Sequence, residues 1–216
     1  MSDIQTTTAM TTTRRALTAL SLSILATITF ASTAQADAIP GKPAPEFTAV
    51  DSNGRTHKLS DYKGKIVVLE WTNDGCPYVR KHYGAGNMQT LQQDAADKGI
   101  VWLTVISSAK GEQGHVDSAN ANKLTTDRKA KPAAVLLDPS GVVGRAYGAK
   151  TTPHMYVIKA DGQLAYNGAI DNKPTANPAD IKTARSYVRE VLAAVAEGKP
   201  VAVAATRAYG CSVKYQ

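Results

Sequence analysis

Cysteine is scarce in this chain: 216 residues hold two, Cys76 and Cys211. There is no Cys-x-x-Cys, so the local disulfide of an ordinary dithiol reductase is excluded. Any intramolecular disulfide must join those two distant sulfurs. Histidine is scarce too. His57, His82, His115 and His154 are widely spaced, with no His-x-x-x-His to suggest a metal site. The formal charge is +7, yet the longest basic run is Arg80-Lys81-His82 and the other Lys and Arg are scattered. That is a solvated surface, and it argues against nucleic-acid binding. Long apolar runs are missing as well. The best, ALTALSLSILATITFA at 16–31, is diluted by Ser and Thr and falls short of the ~20 apolar residues a membrane span needs.

That short run is informative in its flanks. Arg14-Arg15 precede it and the small-residue tripeptide AQA (34–36) follows, which is the pattern of a cleaved secretory signal. Cleavage would leave Asp37 first. TRRALT is a partial twin-arginine match, and no cysteine adjoins the cleavage site to carry a lipid anchor. Loss of 1–36 removes Arg14, Arg15 and Asp3, so the +7 falls to +6. The expectation is a periplasmic or secreted protein with no stable membrane association, in a compartment where disulfides persist.

The remainder punctuates itself. FTAVDSNGRTHKL reads as a hairpin around Asp51-Ser52-Asn53-Gly54. KIVVLEW (65–71) is a continuous β-branched run suited to a strand buried on both faces. After Cys76-Pro77 comes a helix interrupted by GAG (84–86). It resumes at NMQTLQQDAADKG, with Asn87 read as N-cap and Gly99 as stop. Strand IVWLTVIS, a polar helix around 114–129, strand AAVLL (133–137) and a short helical piece VVGRAYGAK follow. HMYVIK and QLAYNG form a second hairpin about Asp161-Gly162. A last helix is expected over about 178–197, carrying Ile181, Ala184, Val188, Val191 and Val195 at helical spacing. The tail, 199–216, shows no clear secondary structure.

Strands alternating with helices and closing on a hairpin and a helix imply an α/β fold with a mixed central sheet. LSDYKGKIVVLEW, the Cys76-Pro77 at a strand-to-helix junction, YGAKTTPHMYVI and DGQLAYNGAI together resemble the thioredoxin-like redoxin superfamily, which includes the alkyl hydroperoxide reductase/thiol-specific antioxidant (peroxiredoxin-like) proteins. The resemblance covers roughly 40–197. It implies a thioredoxin-like fold with an N-terminal β-hairpin extension and a mixed sheet flanked by helices. The expected domains are a signal peptide (1–36), a thioredoxin-like domain (37–198) and a C-terminal tail (199–216).

A thiol at a helix N-terminus faces unpaired N–H groups and the positive end of the helix dipole, which favours the nucleophilic thiolate. Pro77 suits the first turn because it has no N–H to lose. Of Arg80, Lys81 and His82, one or two could lean back toward the sulfur. Val79 stands where a dithiol reductase has its second cysteine. A peroxiredoxin has a threonine three residues before its cysteine; here Thr72 lies four before, and Pro153 occupies the place of an activating arginine. That place is also the cis-proline position of thioredoxins. Its loop packs on the active sulfur and presents backbone to a substrate chain. His154 follows directly. It either sits near Cys76, where a protonated ring would lower the thiol pKa or help form a copper site, or faces the other side of its strand. Cys211 is a resolving thiol, a structural disulfide partner or a free thiol; the redox-active pairing is preferred, with a mobile tail. Asp74 is expected at the surface, and Trp71 in the core beside the site. Glu70 is read as an edge residue in preference to a proton acceptor.

The expected function is an exported thiol-dependent oxidoreductase with peroxiredoxin-like antioxidant activity. Cys76 is the nucleophile and Cys211 the resolving thiol, with Thr72, Pro77, Pro153 and His154 in support. Its partners would be a peroxide or a protein thiol/disulfide, plus an external dithiol reductant. No cofactor or metal is required. The alternatives are a thiol-disulfide exchange protein and a non-catalytic metal-chaperone or binding module on the same fold.

Overall fold

A computed structural model describes residues 38–216; the expected signal segment, 1–36, lies outside the described residues. Around Asp51-Ser52-Asn53-Gly54 the chain forms the expected hairpin, β1 (Thr48–Asp51) and β2 (Thr56–Lys58). The Asp51 carboxylate closes the turn by accepting from the N–H groups of Asn53 (2.8 Å) and Arg55 (2.9 Å). Next come β3 (Val67–Trp71), α1 (Pro77–Gly84), α2 (Asn87–Asp97), β4 (Val101–Ile106), α3 (Ser118–Asp127) and β5 (Ala134–Leu137). Then follow α4 (Val142–Ala146), β6 (Thr151–Thr152), β7 (His154–Ile158), β8 (Leu164–Gly168), α5 (Tyr187–Ala196) and β9 (Cys211–Ser212). Among the described residues no helix is long and apolar enough to cross a membrane.

Seven strands form one mixed sheet in the order β2-β1-β5-β4-β3-β7-β8. β3, β4 and β5 run parallel, while β7 and β8 are antiparallel. The side-chain period of two sorts the core into two layers. Val67, Leu69 and Trp71 of β3 face one side with Leu103, Tyr147 and Tyr156. Val68 packs on the other side with Val79, Met88, Leu91, Trp102, Met155, Val157 and Val188, under α1, α2 and α5. Cys76 belongs to this second layer.

Three expectations change. Asn87 is the first residue of α2, and Gly86, in the left-handed region at φ 72°, is the cap. The Asn87 side chain bonds His82 Nδ1 at 2.8 Å instead of capping the helix. The last helix is shorter than 178–197. Pro178–Thr183 is a 3₁₀ segment with no buried residue, Ala184 is extended, and a new helix starts where Ser186 Oγ accepts from Arg189 N–H at 3.3 Å. With Ile181 and Ala184 unburied, packing does not reward a continuous helix, and the serine cap sets the start. The tail has structure: β9 pairs antiparallel with β6, in register Thr151↔Ser212 and Thr152↔Cys211.

Candidate active site

Beyond β3 the chain turns through Thr72–Gly75. Asn73 holds the turn, its Oδ1 accepting from Gly75 N–H at 2.8 Å and its carbonyl from Cys76 N–H at 3.1 Å. Cys76 is the N-cap of α1, extended at φ −83° and ψ 122°, with Pro77 at the first helical position. The thiol is fully buried. Its Sγ lies 3.1 Å from the Thr152 carbonyl, to which it donates as a thiol, and 3.4 Å from the Cys211 N–H, from which it accepts. Both cysteines are free thiols, and each shifts the other's ionisation. Burial pushes the Cys76 pKa up. The Cys211 thiol and the amides of Val79 and Cys211 outweigh it, so the net shift is downward. The Val79 amide acts without the geometry of a full cap hydrogen bond.

Cys211 is delivered by the tail. β9 lies along β6, whose second residue, Thr152, joins Pro153 through a cis peptide bond as the resemblance implies. Gly210 makes the approach possible. Its φ is 130°, and a Cβ there would sit 2.0 Å from the Thr152 carbonyl oxygen. The rest of the tail is fastened along its length. Thr206 N–H donates to Asn167 C=O (3.1 Å), Val213 N–H to Lys150 C=O (3.0 Å), and Ala109 N–H to Lys214 C=O (2.8 Å). The Tyr215 hydroxyl donates to Ala149 C=O at 2.8 Å. The tail thus folds back over the domain as a docked strap in this dithiol state. Cys211 is half-buried; burial first, then the neighbouring Cys76 sulfur, pushes its pKa up to about 11.

The basic residues after Cys76 do not turn to the sulfur. Arg80 Nε donates to Asp74 C=O at 2.7 Å, and Arg128 pairs with the Asp74 carboxylate. Asp74 keeps 37% of its side chain exposed and is ion-paired with both arginines. Lys81, fully buried, donates to Lys173 C=O at 2.8 Å and lies 3.8 Å from Asp171. His82 faces Asp171 at 3.9 Å, and burial drops its pKa to about 4.

Other expected site residues separate. His154 pairs with Trp71 across β3 and β7, and its ring lies tilted against Tyr156, 4.6 Å between centres, in the opposite layer from Cys76. Its Nε2 meets Asn167 Oδ1 at 3.3 Å, and burial lowers its pKa to about 4. A histidine below the thiol, and with it a Cys76–His154 metal pair, is therefore excluded. Strand alternation put the ring on the other face. Trp71 shares that far face, its Nε1 donating to Ser107 Oγ at 3.0 Å. Thr72 donates its N–H to Val105 C=O at 3.0 Å, while its buried hydroxyl makes no hydrogen bond among the described residues.

Glu70 is no edge residue. It sits in β3 between β4 and β7, fully buried. Its carboxylate accepts from Tyr83 OH (2.8 Å), Trp102 Nε1 (2.8 Å), Gln92 Nε2 (3.2 Å) and Thr104 Oγ1 (3.2 Å). Burial raises its pKa despite those donors. Sequence reasoning also missed Gly210, Tyr209 and Asp171. The glycine beside Cys211 was the available signal for the first; nothing local marks Asp171.

The comparisons agree with this fold. A model of the AhpC/TSA family matches residues 40–167. The thioredoxin-like protein YneN of Bacillus subtilis is 28% identical over 57% of this chain and 68% of its own length. The thiol-disulfide oxidoreductase ResA of Geobacillus thermodenitrificans is 27% identical over 57% of this chain and 66% of its length. The chain thus spans about two thirds of these curated relatives. Among solved structures, an uncharacterized conserved protein from Geobacillus kaustophilus superposes with a TM-score of 0.69 at 25% identity, covering 83% of this chain and 93% of its own. Matched over more than half its length, the chain belongs to the AhpC/TSA family, within the thioredoxin-like redoxins.

Proposed function

We propose that the protein is an exported thiol oxidoreductase that cycles Cys76 and Cys211 between dithiol and disulfide. One observation carries the reading: β9 runs beside Thr151–Thr152 and lays Cys211 against Cys76 at the start of α1. Export is argued from residues 1–36, and the tail from 199 onward works as a redox arm on the thioredoxin-like domain.

The chemistry divides between the two sulfurs. With Gly210–Cys211 lifted from Thr152, the Cys76 thiolate attacks one sulfur of an incoming disulfide, forming a mixed disulfide and expelling one partner thiolate. Burial and the Cys76 sulfur hold Cys211 protonated in the resting state. Once Cys76 is bonded, its negative charge is gone, and Cys211 loses its proton more readily. Cys211 then attacks the Cys76 sulfur, expels the second partner thiolate and closes the intramolecular disulfide. The client leaves as a dithiol, two electrons richer. An external dithiol reverses the protein's oxidation. Its first thiolate attacks the half-buried Cys211 sulfur and expels Cys76, the better leaving group because its pKa is the lower. Its second thiolate then attacks its own sulfur in that mixed disulfide, releasing Cys211 and leaving the reductant as a disulfide.

Disulfide exchange is favoured over peroxide reduction because the groups around the Cys76 sulfur are amides, a thiol and a carbonyl, while Arg80 and Arg128 turn onto Asp74. A relative that bears the name thiol-disulfide oxidoreductase supports the same choice. Peroxide reduction is the second reading, favoured by a single helix-capping cysteine before proline in an AhpC/TSA chain. Stopped-flow comparison of reduced protein with a disulfide-bonded peptide and with hydrogen peroxide decides between them. Faster thiol loss with the peptide, abolished in Cys76→Ser, supports exchange. Faster loss with peroxide, with sulfenic acid trapped in Cys211→Ser, supports the second reading. Thiols inert to both contradict the oxidoreductase.

A further inference from the structure

The tail is held on both sides of a gap. Upstream, Thr206 is anchored to β8, its Oγ1 accepting from Ala169 N–H at 2.9 Å and bonding Tyr166 OH at 2.6 Å. Downstream, β9 and Val213 lie on β6. Between these anchors the backbone makes no hydrogen bond among the described residues, although Gly210 closes on Thr152 at the far end. A cavity of about 420 Å³ opens beneath Thr206–Ala208, lined also by Lys150, Thr151, His154 and Asn167. Over residues 207–210 the hydrogen bonds among the described residues are those of one group, the Tyr209 hydroxyl.

That hydroxyl enters an unusual place. It donates to Asp171 Oδ1 and lies 3.2 Å from His82 Nε2. Asp171, His82 and Lys81 are all buried. The Lys81 ammonium stands 5.6 Å from the centre of the Tyr209 ring, and the Tyr78 ring packs at 5.8 Å from it. Tyr78, Lys81 and His82 are spaced three and four apart, so they form one face of α1, the helix that Cys76 caps. Tyr209 and Cys211 flank the bend at Gly210 and pack against the same core layer, with Gly210 turned to Thr152 between them. One helix therefore presents two matched sites to the tail: a sulfur for Cys211 and a charged pocket for Tyr209.

Resting on the proposed function, we infer that Tyr209, gripped by Asp171 against Tyr78, Lys81 and His82, is the positioning residue that sets the effective concentration of Cys211 at Cys76. Burying an ammonium and a carboxylate is costly to the fold, and well-packed apolar residues would serve stability at least as well. A grip on the one otherwise unsupported stretch before Cys211 gives the cluster a use. Effective concentration is governed by how far a tether restricts its group, so loss of the grip weakens the pairing without touching either sulfur.

The test equilibrates the protein with mixtures of glutathione and glutathione disulfide. The disulfide accepts the electron pair released when the two protein thiols lose their protons and join, and the ratio of disulfide to dithiol gives the effective concentration. Tyr209→Phe keeps the ring and removes the grip. Its effective concentration should fall at least about tenfold, as expected for losing a hydrogen bond to a charged group, and alkylation of buried Cys76 should quicken in parallel. Tyr215→Phe removes a tail hydrogen bond beyond Cys211, where Val213 and Lys214 are independently held, and should change the ratio less than threefold. Equal effects of the two variants, or a Tyr209→Phe ratio within twofold of wild type, overturn the positioning role and leave the redox pair standing. A wild type that forms no Cys76–Cys211 disulfide overturns the proposed function and this inference together.

Discussion

Cys76 and Cys211 carry the same side chain in surroundings built by different means. Cys76 owes its setting to its neighbours in sequence: a buried strand before it, a proline after it and the first turn of α1. Cys211 owes its setting to contacts made far along the chain, with Thr152 across β6, Lys150 beside it and the α1 face beneath Tyr209. The helix start and the docked tail together lower the Cys76 pKa, whereas burial and the neighbouring Cys76 sulfur raise that of Cys211. The difference separates what can be removed. Changes in the tail should abolish the pairing and spare the fold, whereas changes in the sheet should cost stability and spare the pairing.

The largest effect is expected from Gly210→Val. Its side chain would collide with the Thr152 carbonyl, and its φ of 130° disfavours a β-branched residue. The tail should lift from β6. Disulfide yield in glutathione buffers should fall by more than about a hundredfold, from loss of an effective concentration that tethering sets, with the thermal midpoint of the reduced protein little changed. Retention of a wild-type yield would break the comparison from the tail's side.

Glu70→Ala tests the sheet's side. It leaves the buried donors of Tyr83, Trp102, Gln92 and Thr104 without an acceptor. A loss of about 3–5 kcal/mol is expected in denaturant unfolding, while folded protein still closes its disulfide. The burial that raises the Glu70 pKa also fixes a pH sign. The folded state holds this proton more tightly than the unfolded state, so wild type should lose stability relative to Glu70→Gln as pH rises above the ordinary carboxylate value.

Acid acts on the histidines in the opposite direction. His82 and His154 have folded pKa values near 4 against 6.5 unperturbed. The unfolded chain takes up these protons first, so stability should fall as pH drops from 6.5 toward 4, by up to about 3 kcal/mol for each ring. His154→Gln should flatten part of that slope in thermal melts and leave the Cys76 titration unmoved, because the ring lies in the other layer. A smaller, sharper effect is expected of Cys211→Ala. Removing the Cys211 thiol, whose proximity favours the Cys76 thiolate, should raise the Cys76 pKa, read from alkylation rate against pH. A fall would mean that the tail disfavours the thiolate.

The same contrast explains what was legible in the sequence. β3, the Cys76–Pro77 junction and both hairpins follow from short-range rules: apolar runs, turn residues and a proline at the first helical position. The face of His154 stayed open and Glu70 was read as an edge residue because a side chain's layer depends on strand register and neighbours, which one strand cannot reveal. The tail was opaque for a stronger reason. Its residues carry little periodicity, and its strand exists only because β6 offers an edge and Gly210 can approach it. Asp171 and Lys81 are buried together 3.8 Å apart by tertiary packing, which no local pattern announces.

The central claim is that these two sulfurs are one redox couple, and peptide mapping tests it directly. Reduced protein is oxidised with glutathione disulfide, its free thiols are blocked, and it is digested with trypsin. The account expects the peptide 66–80 joined to 208–214 through Cys76 and Cys211, in a monomer two hydrogens lighter than the dithiol. Cysteines that each carry glutathione, or a disulfide joining two chains, would contradict it.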